Sequence, residues 1–349
     1  MERQYGLDIL RILAVCGVVS IHTFGAIAIN PDVQGTVTAW GARLLSTGFV
    51  WTVPVFVMLS GALVLAPRAH AAGPAAFYRK RAWRILPALV AWIFIYLVLI
   101  RMLLLGERFS GWDLISLVFD NAVYPHLYFL WLIVGLYAVA PVIASFLQGG
   151  GRRRALITAG AALGFTVAVY AASSVLTASG RPHVLPTGAL VIWLLYVGYF
   201  IAGRALEGVR LRGLALAGAV VGILVFGGFT LAQAAYPEQL ALASAVSPIS
   251  YTGAIVAALS ICVFLVAARV LSQLRLGPRL GRLVVTLSEA SFGVFLVHLI
   301  VLLVPYELLP GFKAQESLPQ ALLAYAVIIV ASFAISVGAR RVPGLRRIF

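Results

Sequence analysis

Apolar runs of about 20 residues recur along this chain, and short segments between them carry most of its charge. A helix rises 1.5 Å per residue, so a run of that length matches the roughly 30 Å hydrocarbon core of a bilayer. Lipid offers backbone groups no water, so a spanning segment must satisfy them internally, as a helix does. The runs fall near 7–29, 40–66, 85–105, 127–147, 155–177, 187–203, 213–235, 249–271, 284–305 and 319–338. They predict an all-α, polytopic integral membrane bundle with about ten transmembrane helices. Hydrophobic residues make up 62% of the 349, charged residues 11%, and mean hydropathy is +1.03. A soluble domain is about 25% charged, so water is not the main solvent for this surface. Residues 1–349 read as a single transmembrane domain. Pro54, inside the second run, predicts a kink there. The stretch from Trp112 to Phe119, in the long segment 106–126, predicts a short interfacial helix.

Charge supplies the orientation. With the N-terminus placed in the cytoplasm, the inside segments are the N-terminus, 67–84, 148–154, 204–212, 272–283 and 339–349. By count, 20 of the 26 basic residues lie in or beside them. Arg11 lies just inside the first run, and only Arg43, Arg101, Arg108, Arg181 and Lys313 fall near the other side. This alternation follows the positive-inside rule and predicts that both termini are cytoplasmic. The net charge of +15 therefore fits anionic lipid headgroups rather than nucleic acid. Cys16 and Cys262 sit in apolar runs with no metal-ligand spacing, so they read as small packing residues, and no metal site is expected. The first run carries Asp8 and Arg11 near its start and no small-residue cleavage site, so it reads as a retained first helix.

Ionisable residues are costly inside a membrane, and Asp8, Arg11, His22 and Glu289 stand out for that reason. Asp8 and Arg11 are one i, i+3 step apart, and Arg11 to His22 is eleven residues, about three full turns. All three therefore share one face of the first helix, with His22 roughly 16 Å along the axis from Arg11. Such a face should point into protein rather than at lipid. His22 there suits a general base, and it also suits a histidine that hydrogen-bonds two helices together. Asp8 and Arg11 suit an intrahelical ion pair. Glu289 and His298 are nine residues apart and point to opposite faces of the ninth run, so they do not partner on their own helix.

A second constellation is FYRKRAWRILP, residues 77–87. Arg81 and Arg84 are one turn apart, a spacing at which two guanidinium groups can clamp a phosphate. The segment also serves simply as a positive-inside flank. No phosphate loop, nucleophile elbow, zinc-protease motif or dinucleotide fingerprint is present in the right context.

These residues resemble the membrane-bound acyltransferase-3 family. LDILRILAVCGVVSIH carries the family's basic residue, ten residues, then a histidine, in Arg11 and His22. Arg81 and Arg84 match its RxxR motif. PVFVMLSG (54–61), HLYFLWLIVGLYAVAPV (126–142) and SEASFGVFLVH (288–298) resemble three further landmarks, with Tyr128 where tryptophan is expected. The resemblance is to stand-alone members without an extracellular hydrolase-like domain.

The resemblance implies a multi-pass protein of a bacterial cytoplasmic membrane. It also implies transfer of an acyl group, usually acetyl, from cytoplasmic acyl-coenzyme A to a hydroxyl. The acceptors it implies are surface or secreted glycans, or lipid-linked sugars. Coenzyme A enters as a donor substrate, with no permanently bound cofactor. Arg81 and Arg84, with Arg79 and Lys80 nearby, are expected to hold its phosphates. His22 is expected to act as general base, with Asp8 and Arg11 lining the route. Two other readings of the same residues are a transporter or flippase for a glycan or lipid-linked sugar, and a structural subunit without chemistry of its own.

Overall fold

The computed structural model describes residues 5–183, 185–308 and 317–349. Lys313 lies outside them. Among the described residues every regular element is helical, and nine helices are long and apolar enough to cross a membrane. The first is α1 (Gly6–Ile29). The second joins α2 (Val37–Thr47) to α3 (Thr52–Val64). After the short α4 (Pro67–His70) comes α5 (Gly73–Phe94), continued as a π-helix over Ile95–Leu104. Then follow α6 (Gly111–Phe119), α7 (Tyr128–Gln148) and α8 (Gly151–Ala178). A 3-10 turn at Ile192–Tyr196 leads into α9 (Val197–Leu206), and α10 (Gly213–Ala235) and α11 (Ala241–Val246) come next. The series closes with α12 (Ala254–Leu271), α13 (Pro278–Leu308) and α14 (Leu318–Ala339). The chain is a polytopic helical membrane protein.

Two compact units are present. The first comprises Met1–Phe56, Val167–His183 and Gly208–Gly338, and the second Val57–Thr166, Val184–Glu207 and Ala339–Phe349.

Three local features differ from, or refine, the expectations. The break in the second run lies at 48–51, just before Pro54 rather than at it. Pro54 then sits in the first turn of α3, where its missing N–H has no intrahelical acceptor to lose. The basic segment 77–84 is helix rather than loop, because α5 begins at Gly73 with a proline in its first turn. Arginine and lysine are good helix formers, but an apolar-run criterion does not register them. The interfacial helix is α6, whose start is a capping box: Ser110 Oγ accepts from Asp113 N, and the Asp113 carboxylate accepts from Ser110 N. Those hydrogen bonds hold the Asp113 carboxyl below its usual range.

The sixth run is short, an apolar helical stretch of 15 residues over Ile192–Leu206. Its beginning is tied to α6, where Ala189 N donates to Phe119 O at 2.7 Å and Asn121 Nδ2 donates to Thr187 O at 2.7 Å. Phe119 in turn stacks on Trp131 near the start of α7, at 6.5 Å between ring centroids. Its end, at Arg204 and Glu207, lines a cavity with Leu147 and Gln148 at the far end of α7. The segment therefore runs the length of α7. Most of α9 is buried by neighbouring protein, so lipid thickness does not set its length.

In the first unit the packing centres on α1. Phe24, Ile27 and Ala28 bury against Val33, Ala39, Ala42 and Ala321. Because lipid is as apolar as leucine, close packing and hydrogen bonds hold such helices together. Ser20 Oγ donates to Leu45 O at 2.5 Å, Tyr325 Oη to Cys16 O at 3.0 Å, and Ser336 Oγ to Ala290 O at 2.7 Å.

Candidate active site

The shared face of α1 meets α13 at two levels. Near the start of α1, Ser288 Oγ donates to Asp8 Oδ1 at 2.8 Å and accepts from Arg11 Nη1 at 2.9 Å. Arg11 Nη1 lies 3.6 Å from the same Asp8 oxygen. The i, i+3 ion pair expected from the sequence is present, and a buried hydroxyl from a helix 277 residues away closes it into a triangle. The acid and the base neutralise each other there, and a carboxylate so close to the start of α1 also suits the positive end of the helix dipole. Ser288→Ala should remove the bridge and leave two charged partners each one hydrogen bond short. The expected cost is about 1–3 kcal/mol. It is read as a lower unfolding temperature of the detergent-solubilised protein, and an unchanged melt would show that the bridge carries no stability.

At the second level His22 faces His298, with ring centroids 5.3 Å apart and planes tilted by 44°. His298 is 1% exposed. Its Nδ1 lies 2.8 Å from Phe295 O and 3.2 Å from Val294 O. Carbonyl oxygens only accept, so Nδ1 carries the hydrogen, and in the neutral ring Nε2 is then an acceptor. His22 is half-buried. Arg11 to His22 is eleven residues on α1 and Ser288 to His298 is ten on α13, so the two helices run parallel. Parallel helices need an even number of steps between them in the series of crossings. That holds for α1 and α13 only when the short sixth segment counts as a crossing.

The sequence reading singled out Glu289 on α13, but Glu289 is exposed on that helix while its neighbour Ser288 is buried against α1. In the sequence His298 stands out as a poor partner for Glu289 and as the last residue of the SEASFGVFLVH landmark. No signal within α13 reveals that it meets His22, because the pairing exists only once the helices pack. Among the described residues, no group of three histidine, cysteine, aspartate or glutamate side chains is placed to hold a metal ion.

In the second unit, the four basic candidates on α5 divide. Arg79, Lys80 and Arg84 are exposed, whereas Arg81 is half-buried. The Arg81 guanidinium lies over two aromatic rings, 5.5 Å from the centroid of Phe77 on its own helix and 5.3 Å from that of Tyr137 on α7. Phe77 is itself stacked on His70, 4.6 Å away, and His70 Nε2 sits 2.8 Å from Val64 O. The next residue, Tyr78, donates from its hydroxyl to Ala138 O at 2.8 Å. Arg81 is therefore held in one orientation by aromatic faces, with no acid paired to it among the described residues. Its Nε is buried without a hydrogen-bond partner among the described residues. An oriented, partly desolvated guanidinium is suited to an oxyanion such as a phosphate, whose oxygens accept in the plane of the fork.

Compared with known families, residues 4–341 match the family model described as "Acyltransferase domain". No match was found among curated proteins or among solved structures.

Proposed function

The chain belongs to the acyltransferase-3 family and is a multi-pass membrane acyltransferase, and from that premise we propose that it moves an acyl group, acetyl in the simplest case, from cytoplasmic acyl-coenzyme A to a glycan hydroxyl. The acceptor is a surface or secreted glycan or a lipid-linked sugar, and the membrane is the bacterial cytoplasmic membrane with both termini inside. Residues 1–349 act in this reading as one transmembrane acyltransferase domain.

The observation that carries the chemistry is His22, an imidazole on the polar face of α1, set against a second imidazole rather than against lipid. Acyl transfer to a hydroxyl needs a group that removes the hydroxyl proton as the oxygen attacks the thioester carbonyl. A neutral imidazole does this near neutral pH, and the departing thiolate then takes the proton back. Coenzyme A carries its phosphates at one end and the thioester at the other, so the two tasks fall to different residues. Arg81 suits the phosphates best by its orientation and its unpaired Nε, with Arg84, Arg79 and Lys80 adding positive potential. Asp8 and Arg11 are engaged with each other and with Ser288, so they fix the α1–α13 register on the approach to His22.

Purified protein in lipid nanodiscs, given acetyl- or succinyl-coenzyme A and a glycan acceptor, should release free thiol in step with appearance of the acylated glycan. A protein that moves glycan across vesicles yet never consumes acyl-coenzyme A would overturn this reading.

A further inference from the structure

We propose that His298 is a positioning residue for the transfer, accepting a hydrogen bond from one ring nitrogen of His22 and so leaving the other as the lone pair that takes the acceptor's proton. The inference rests on His22 being the general base. It adds what the polar face of α1 does not supply, namely a reason for that base to hold the right tautomer.

A neutral imidazole carries one hydrogen on either of two nitrogens, and only the bare nitrogen can act as a base. A hydrogen-bond acceptor on the opposite edge of the ring selects the tautomer, the task a carboxylate performs in a serine–histidine–aspartate triad. On α1 the only acid is Asp8, fourteen residues from His22, or roughly 21 Å along the axis. Its Oδ1 is already engaged by Ser288 and Arg11. Glu289 is exposed on α13. The side chain that does meet His22 is His298, 5.3 Å from ring centroid to ring centroid. Its own tautomer is set by the two carbonyl oxygens at Nδ1, which make Nε2 the acceptor. A neutral acceptor also suits the membrane interior, where an ionised carboxylate is expensive to bury.

The step balances. The acceptor oxygen attacks the thioester carbonyl carbon while its proton passes to the bare nitrogen of His22. The C–O bond forms, the C–S bond breaks, and the thiolate leaves with the proton taken back from His22. The products are the acyl ester and the coenzyme A thiol. His298 gains and loses no proton; its buried Nε2 makes no hydrogen bond among the described residues in this structure, and a small turn of the His22 ring, 5.3 Å away between centroids, completes the pair.

The test compares wild type with His298→Phe, which keeps an aromatic ring without an acceptor, and His298→Gln, which restores an acceptor oxygen. His298→Phe should lower kcat about 100-fold or more, as expected for a base in the wrong tautomer, with the KM for acyl-coenzyme A unchanged. His298→Gln should recover most of the lost kcat. Equal impairment of both variants, or wild-type kcat in His298→Phe, would overturn the proposal in favour of packing alone. A second readout does not need turnover. In protein labelled with 15N-histidine, the ring nitrogens of His22 should give one bare and one protonated signal in wild type, and averaged signals in His298→Phe. Averaged His22 signals in wild type would also overturn the proposal. A wild type with a single His22 tautomer but no acyl transfer would instead reject the proposed function and leave the pairing standing.

Discussion

Replacing His22 with alanine is expected to lower the rate of acyl transfer by about 10²- to 10⁴-fold, the usual contribution of a positioned general base, while the protein stays folded and inserted. The fold should tolerate the change because His22 is half-buried and its contact with α13 is a ring-to-ring contact at one level. The α1–α13 register is fixed separately by the Asp8–Ser288–Arg11 triangle, and α1 is further held through Ser20 and the Phe24 cluster. The measurement is kcat with saturating acyl-coenzyme A and acceptor, alongside a melting curve. A variant within tenfold of wild type would remove His22 from the proton transfer. The same protein also separates two routes. If His22 only removes a proton, thiol release requires an acceptor. If it carries the acyl group, wild type gives a burst of free coenzyme A without acceptor, and the alanine variant gives none.

Most of the architecture was legible because a membrane imposes a length and an apolar composition on each crossing, and both are written locally in the chain. The shared face of Asp8, Arg11 and His22 was legible for the same reason, since helical periodicity alone places them together. What the sequence could not reveal depends on which helices meet. Ser288 and His298 lie 277 and 276 residues from Arg11 and His22, and nothing local in α13 distinguishes the buried Ser288 from the conspicuous but exposed Glu289. Charge draws attention in an apolar sequence, but inside a packed bundle a small hydroxyl forms the bridge and a neutral ring forms the partner. The start of α5 was misplaced on similar grounds. Arginines and lysines mark the end of an apolar run without ending the helix, so a helical segment reads as a loop. The difference matters, because only on a helix does the i, i+4 spacing set Arg81 over Phe77.

That placement separates Arg81 from the three other basic candidates, and it gives the second large effect. Arg81→Ala should raise the KM for acyl-coenzyme A about 10- to 100-fold, as expected for loss of a hydrogen-bonded charge worth roughly 1.5–3 kcal/mol. At saturating donor, kcat should be nearly unchanged, since the phosphates take no part in bond making. Arg84→Ala should do less, because an exposed guanidinium must be ordered on binding and its charge is screened by salt. Arg81→Lys should recover only part of the affinity. An ammonium keeps the charge but lacks the planar fork that lies over Phe77 and Tyr137 and presents Nε to a ligand. The contact with two rings also stabilises the second unit, by about 1 kcal/mol for a cation over aromatic faces. Binding must therefore be compared at a temperature well below the melting point of each variant. Wild-type affinity in both Arg81→Ala and Arg84→Ala would reduce the motif to a positive-inside flank. A large loss confined to Arg81 would show that orientation by Phe77 and Tyr137, more than the count of positive charges, turns that flank into a binding site.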